Sequence, residues 1–188
     1  MHKVYEEDKC EGIPTVYVDG WSYHVDNNGE KELVAGIGNA WMNDAREPSD
    51  GYKIGPGSSQ VAELMAVHQA IFTSVQHKLH KLVIITDSVY VRNGFMEHRV
   101  NWKTKGMLCA NNKPIKHGKL IENIDDLVTS NGMTINWKKI KGHSRIQGTN
   151  KTRNDQAGQL AKTVAIQGDL LEIASLLGEI QVTAVTRF

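Results

Sequence analysis

The alternation and clustering of apolar positions predict a chain of mixed strands and helices. Thr15-Val16-Tyr17-Val18-Asp19 is a run of β-formers that ends in a carboxylate and predicts a short strand. Leu33 to Trp41 predicts a second strand, entered after the turn signal Asp26-Asn27-Asn28-Gly29. Gly55-Pro56-Gly57 predicts a loop, and Ser58 or Ser59 can cap a helix reaching about His77. Along that helix Val61, Leu64, Met65, Val67, Ala70 and Ile71 recur at helical spacing. Leu82-Val83-Ile84-Ile85-Thr86 is continuously apolar, as in a strand buried on both faces. Asp87 or Ser88 then starts a helix toward Phe95, and a basic, polar excursion follows from His98 to about His117. A helix over roughly Lys119 to Thr129, a strand from Met133 to Ile140, a Gly- and Ser-containing loop from Gly142 to Asn150 and a helix from about Thr152 to Ile166 complete the pattern. Beyond it lie a helical piece, Leu170 to Leu177, and an extended tail, Ile180 to Thr186. The order β-β-(β)-α-β-α-α-β-α indicates an α/β protein with one mixed sheet.

Composition narrows the class without naming a chemistry. At 188 residues the chain is about one domain long, with 40% apolar and 23% charged residues, as in ordinary globular proteins. No run approaches the ~18 apolar residues of a membrane helix, and the N-terminal stretch lacks a signal peptide's apolar segment. Cys10 and Cys109 stand far apart, which suggests neither a disulfide framework nor a zinc cluster, so a reducing, intracellular setting is expected. The net charge of +1 hides an asymmetry: from Arg92 to Arg153 there are thirteen basic residues against four acids. Such a half binds polyanions or is simply a well-solvated face, and charge alone does not separate the two.

The candidate chemistry rests on three carboxylates. Asp19 ends the first predicted strand, Glu63 lies one to two turns into the first long helix, and Asp87 ends the buried strand. Side chains at neighbouring strand ends converge, and converging acids repel one another strongly. Divalent cations relieve that repulsion, and an oxygen-only set suits Mg²⁺ or Mn²⁺. Two such ions about 4 Å apart can activate a water and stabilise the leaving oxygen in phosphodiester hydrolysis. Each acid also has a plainer reading: Asp87 as a helix cap, Glu63 as an exposed helical acid, Asp19-Gly20 as a turn.

Four stretches in order, Tyr17-Val18-Asp19-Gly20-Trp21-Ser22, Ser59-Gln60-Val61-Ala62-Glu63-Leu64, Ile85-Thr86-Asp87-Ser88-Val89-Tyr90 and Lys141-Gly142-His143-Ser144, resemble the RNase H family. The likeness is greatest to the domain that follows reverse transcriptase in retroviral polyproteins. Asn111 to Ile121 resembles the matching stretch of gammaretrovirus-like elements, and the resemblance as a whole covers about Pro14 to Ala165. It implies an RNase H-like fold with a five-stranded mixed sheet flanked by helices. It also implies two Mg²⁺ or Mn²⁺ ions held by Asp19, Glu63 and Asp87, with Asp19 bridging both, and His143 assisting the leaving group or product release. Ser59, Gln60, Ser88 and Tyr90 are then expected to contact an RNA–DNA hybrid. Trp102, Lys103, Thr104 and Lys105 resemble the basic protrusion that grips the DNA strand. Independently of the family, lysines neutralise phosphates and an aromatic ring packs on sugar or base.

One position departs from the family pattern. The usual fourth acid, in Gly-Asn-x-x-Ala-Asp-x-Leu-Ala, falls on Gly158 when Asn154, Ala157, Leu160 and Ala161 are aligned. Asp155 lies three residues earlier and is the remaining candidate for the second ion, directly or through water, although a first-turn acid favoured by the helix dipole is the slightly better reading there. Trp21 inside the first motif and Ser59, where many relatives carry Asn, are smaller departures. The expected organisation is a connection over 1–13, an RNase H domain over 14–166 and a tail toward integrase over 167–188. The expected activity is hydrolysis of the RNA strand of RNA–DNA hybrids, attenuated at Gly158; the alternative is a hybrid-binding module that no longer cuts efficiently. The natural setting implied is beside reverse transcriptase and integrase, in the cytoplasm or in a virion's reverse-transcription complex, with no membrane.

Overall fold

The turn signal at Asp26–Gly29 closes a long hairpin in the computed structural model, which describes residues 2–4, 12–42, 49–140 and 148–167. Asn28 (φ 58°) and Gly29 (φ 90°) both take positive φ, the geometry that matches a two-residue turn to the strand twist. The Asp26 carboxylate accepts the Gly29 N–H at 2.8 Å. The flanking strands, β2 (Thr15–Asn27) and β3 (Glu30–Met42), pair residue for residue from Asn27↔Glu30 to Thr15↔Met42. Both are longer than their apolar stretches suggest. Asp19-Gly20, which reads as a strand end, sits within β2 because cross-strand pairing carries the ladder through it.

The remaining elements are β4 (Asp50–Pro56), α1 (Ser59–Gln76), β5 (Lys81–Thr86), α2 (Val89–Arg92), a π-helical turn (Asn93–His98), α3 (Arg99–Thr104), α4 (Gly118–Ser130), β6 (Thr134–Lys139) and α5 (Thr149–Gln167). The segment expected as a loop around Gly55 thus belongs to β4, which pairs antiparallel with β3 across an irregularity at Ala35/Gly36. The basic excursion after Phe95 is helical as far as Thr104. The five expected strands form one mixed sheet, and β1 (His2–Val4), in the stretch expected as a connection, adds a sixth at its edge, parallel to β6. The strand order is β1-β6-β5-β2-β3-β4. No helix among the described residues is long and apolar enough to cross a membrane.

The two faces of the sheet are covered in different ways. On one, α1 and α4 bury a large apolar core that includes Val16, Val18, Ile37, Leu64, Met65, Ile84, Ile121 and Trp137. The Trp137 and Phe95 rings stack there at 4.9 Å. On the other, a smaller cluster of Tyr17, Ala40, Val83, Ile85 and Ala157 lies beneath α5. That helix has little apolar contrast and docks through small residues: Ala157, Ala161 and Ala165 are all fully buried. Gly36 and Gly38 of β3 make the approach possible. A Cβ on Gly38 would fall 2.0 Å from the Ala157 carbonyl oxygen, and one on Gly36 2.3 Å from that of Ala161. Backbone occupies that space, so a side chain there must push the helix away.

Gly38→Ala is therefore expected to destabilise the fold by about 1–3 kcal/mol or more. Gly118→Ala, whose Cβ would meet nothing closer than 3.6 Å, should change stability by less than about 0.5 kcal/mol. Urea unfolding of both variants checks the contrast; equal effects would contradict the close docking of α5.

Candidate active site

The parallel pairing of β2 with β5 runs from Thr15↔Val83 to Tyr17↔Ile85. Two residues further on stand Asp19, still within β2, and Asp87, just past the end of β5, so the register itself brings the two acids to one level. Glu63 arrives from α1, whose first turn is fixed by Ser58, its hydroxyl accepting the Val61 N–H at 3.3 Å. Gly20 sets how near that helix comes: a Cβ there would lie 2.3 Å from the backbone of Ala62 and Glu63. On the other side of β2, α5 approaches with Gly158, whose Cβ would lie 2.7 Å from Asp19 Oδ2. Asp19 is thus bracketed by two helices at two glycines.

Each carboxylate has a separate partner. Asp19 Oδ1 accepts the Gly20 N–H at 2.8 Å. Glu63 accepts a short hydrogen bond from the Ser88 hydroxyl, which also accepts the Val91 N–H at 3.2 Å and so caps α2. Asp87 Oδ2 accepts from Asn154 Nδ2 at 3.2 Å. Burial pushes Asp19 from its ordinary 3.8 up to about 7, the charge of Asp87 adds to the rise, and that of Glu63 adds less. Burial also raises Glu63; Ser88 opposes that rise and Asp87 adds to it. The three acids therefore act on one another electrostatically. Among the described residues, however, no three His, Cys, Asp or Glu side chains are drawn in closely enough to form a ready ligand cage. An oxygen-only set under mutual repulsion fits a hard divalent cation by the chemistry of its donors.

The other expected site residues divide by position. Ser59 shares a 2.8 Å hydrogen bond with Ser22, bridging α1 and β2 at the exposed rim. Gln60, half-buried beside it, has an unpartnered buried Oε1. Tyr90 donates its hydroxyl to the Lys116 carbonyl at 2.8 Å and meets His117 edge-on. Trp102 packs against the main core and near His98, and the Thr104 hydroxyl donates to the Asn101 carbonyl at 2.9 Å. Lys103 and Lys105 are both exposed, and Lys103 turns its ammonium to Asp125. His143, with its Lys141–Ser144 motif, and the 168–188 tail lie outside the described residues.

Asp155 is exposed and pairs with Lys151 at 2.6 Å. The helix turns Asn154, Ala157 and Ala161 to the protein interior and leaves Asp155 outward. Asn154 was not singled out as a site residue. The signal available was its place as the anchor of the last-helix pattern, and the structure gives that residue a hydrogen bond to Asp87.

A family profile described as RNase H matches residues 12–166. Ribonuclease H1 of Mus musculus is 32% identical over 159 residues, which cover 82% of this chain and 50% of that protein. The chain thus spans about half the length of this mammalian relative. Ribonuclease H of Maricaulis maris is 29% identical over 160 residues, covering 85% of this chain and 89% of the bacterial one. Among solved structures, the prototype foamy virus (PFV) RNase H domain superposes with a TM-score of 0.68 at 22% identity, over 81% of this chain and 94% of that domain. The corresponding part of the prototype foamy virus protease–reverse transcriptase gives 0.66 at 24% identity, over 81% of this chain and 20% of that one. These two structures share the fold.

The electrostatics carry a pH prediction. Because the Asp19 proton is held more tightly folded (about 7) than unfolded (about 3.8), its favourable contribution is complete below about pH 4 and is lost as pH rises toward 7. A divalent cation held there would replace that proton as the neutralising charge. Millimolar MgCl₂ should raise the melting temperature more at pH 8 than at pH 5; an equal shift at both, or none, would contradict the charge cluster.

Proposed function

The chain belongs to the RNase H family, and from that membership we propose that it is an endoribonuclease cutting the RNA strand of RNA–DNA hybrids. The observation that carries the proposal is the gathering of Asp19, Glu63 and Asp87, where burial, with the charges of Asp87 and then Glu63 adding to it, raises Asp19 to about 7. These three residues would hold Mg²⁺ or Mn²⁺, which when bound activates water and stabilises charge on the phosphodiester. The family resemblance implies two such ions, and Asp19, which lies between Glu63 on α1 and Gly158 on α5, would be a donor to them. The protein's own part is orientation. Ser88 holds Glu63, Asn154 holds Asp87, and the Gly20 N–H holds Asp19, so each donor is preset by a separate neighbour. Water attacks phosphorus, the bond to the 3′-oxygen breaks, and that oxygen takes a proton, leaving a 3′-hydroxyl and a 5′-phosphate. His143, by the resemblance, helps at that departure. Ser59 and Gln60 sit at the rim where the hybrid's 2′-hydroxyls would distinguish RNA from DNA.

A second reading, a hybrid-binding module with weak or no cleavage, is favoured by Gly158. No carboxylate is supplied there, and Asp155 faces away into its pair with Lys151. The Asn111–Ile121 stretch supports a retroviral setting beside reverse transcriptase and integrase, in the cytoplasm or a virion.

Cleavage of a labelled RNA–DNA hybrid with Mg²⁺ or Mn²⁺ separates the readings. The chain should cut, and Gly158→Asp should cut roughly tenfold faster or more, within the 10–100-fold range typical of ligand-support changes. If neither cuts while both bind, the binding-module reading stands. Asp87→Asn should abolish cleavage and leave hybrid binding, since it removes a ligand charge but keeps the shape; normal cutting by this variant would overturn the site assignment.

A further inference from the structure

The basic segment after the π-helical turn contains two partners of one buried acid. Asp125, on α4, is only 1% exposed. Arg99 Nη1 donates to its Oδ1 at 2.7 Å, and Lys103 Nζ donates to its Oδ2. Arg99 and Lys103 stand at i and i+4 on α3, so both fall on the same face of that short helix. Between them Trp102 packs against the main core, and past them the chain folds back with Met107 N–H donating to the Trp102 carbonyl at 2.7 Å. The arm is therefore fastened on its inner side by one ion triad and one aromatic ring. Lys105, at its far end, is exposed and has no ion pair among the described residues.

We propose that Asp125 is a positioning residue for the hybrid-binding arm. It ties the Arg99 guanidinium and the ammonium of the otherwise exposed Lys103 on α3 to α4, so that Lys105, not Lys103, makes the arm's phosphate contact. The proposal rests on the hybrid-binding reading above. Its physical basis is the asymmetry of a buried charge. For Lys103 to reach a phosphate it must abandon a desolvated carboxylate, and leaving a buried charge short of a partner is far more costly than forming an exposed pair is favourable. Lys105 abandons nothing. It is a compact point charge on a flexible stem, free to follow a phosphate. Two lysines that sequence alone makes equivalent thus have different tasks, one holding the arm's direction and the other touching the ligand.

The test compares Lys103→Gln, Lys103→Arg, Lys105→Gln and Asp125→Asn. Binding to a labelled RNA–DNA hybrid is followed by fluorescence anisotropy over a salt series in EDTA, so that nothing is cut, and melting temperatures are measured without nucleic acid. Lys105→Gln should reduce the slope of log affinity against log salt by about one and leave the melting temperature unchanged. Lys103→Gln should leave the slope unchanged and lower the melting temperature by about 2–4 °C, with Lys103→Arg restoring it. Asp125→Asn should lower the melting temperature further. A flattened slope for Lys103→Gln at unchanged melting temperature would place Lys103 on the phosphate and overturn the clamp, as would an unaltered slope for Lys105→Gln. Should the chain not bind hybrid at all, the functional reading fails, while the melting temperatures of the two Lys103 variants still decide whether the clamp exists.

Discussion

Like charges resist burial together, because desolvation disfavours each charge and the neighbours disfavour the others. The fold overrides that resistance with backbone geometry. The β2–β5 register sets Asp19 level with Asp87, and the Gly20 contact presses the backbone of Glu63 against the same strand. None of this packing can relax to separate the acids without undocking α1 or slipping a strand. Burial, with the charge of Asp87 adding to it, raises Asp19 to about 7. A proton on Asp19 relieves part of that repulsion, and a cation held among the three acids would relieve it in the same way.

The pattern along the chain carried much of this. α1 and β5 were legible because their apolar residues recur at one helical period or in one unbroken run, and Asn28-Gly29 marked the hairpin turn. Strand lengths were not legible. Asp19-Gly20 has the composition of a turn, and only pairing with Gly38 and Ile37 across the hairpin keeps it extended. The docking of α5 was equally hidden, since helices that pack through alanine against glycine show little contrast between faces. The three acids could be picked out, but their partners could not: Ser88 reaches Glu63 from 25 residues away and Asn154 reaches Asp87 from 67. Nor does anything local in Asn101–Gly106 announce that Lys103 is bound to an aspartate 22 residues on.

Those long-range partners also divide the molecule by rigidity. The acids are fixed by strands and long helices, which favours a preset geometry. The arm around Trp102 is instead built from a short helix entered through a π-helical turn, a conformation uncommon outside sites of special demand. A short helix has little intrinsic stability, so its orientation depends on what it is tied to. The Asp125 pairs and the Trp102 contact supply that tie, linking the direction of the basic surface to the same core that supports the sheet.

The two glycines that bracket Asp19 differ in kind. A Cβ on Gly20 would meet main chain at 2.3 Å, atoms that cannot move without the helix, so its lack of a side chain is a condition of the fold. A Cβ on Gly158 would meet only the end of the Asp19 side chain, its Oδ2 at 2.7 Å and its carboxyl carbon at 3.9 Å. A rotation of Asp19 would make room there. Nothing in the packing, then, requires position 158 to be empty; the difference from the family pattern is one of charge. A fourth carboxylate would add to the repulsion on Asp19 and raise the need for a second cation. Its absence leaves three acids whose repulsion a single divalent ion relieves in larger part. The chain keeps the geometry that gathers the charges and has reduced the charge that must be neutralised.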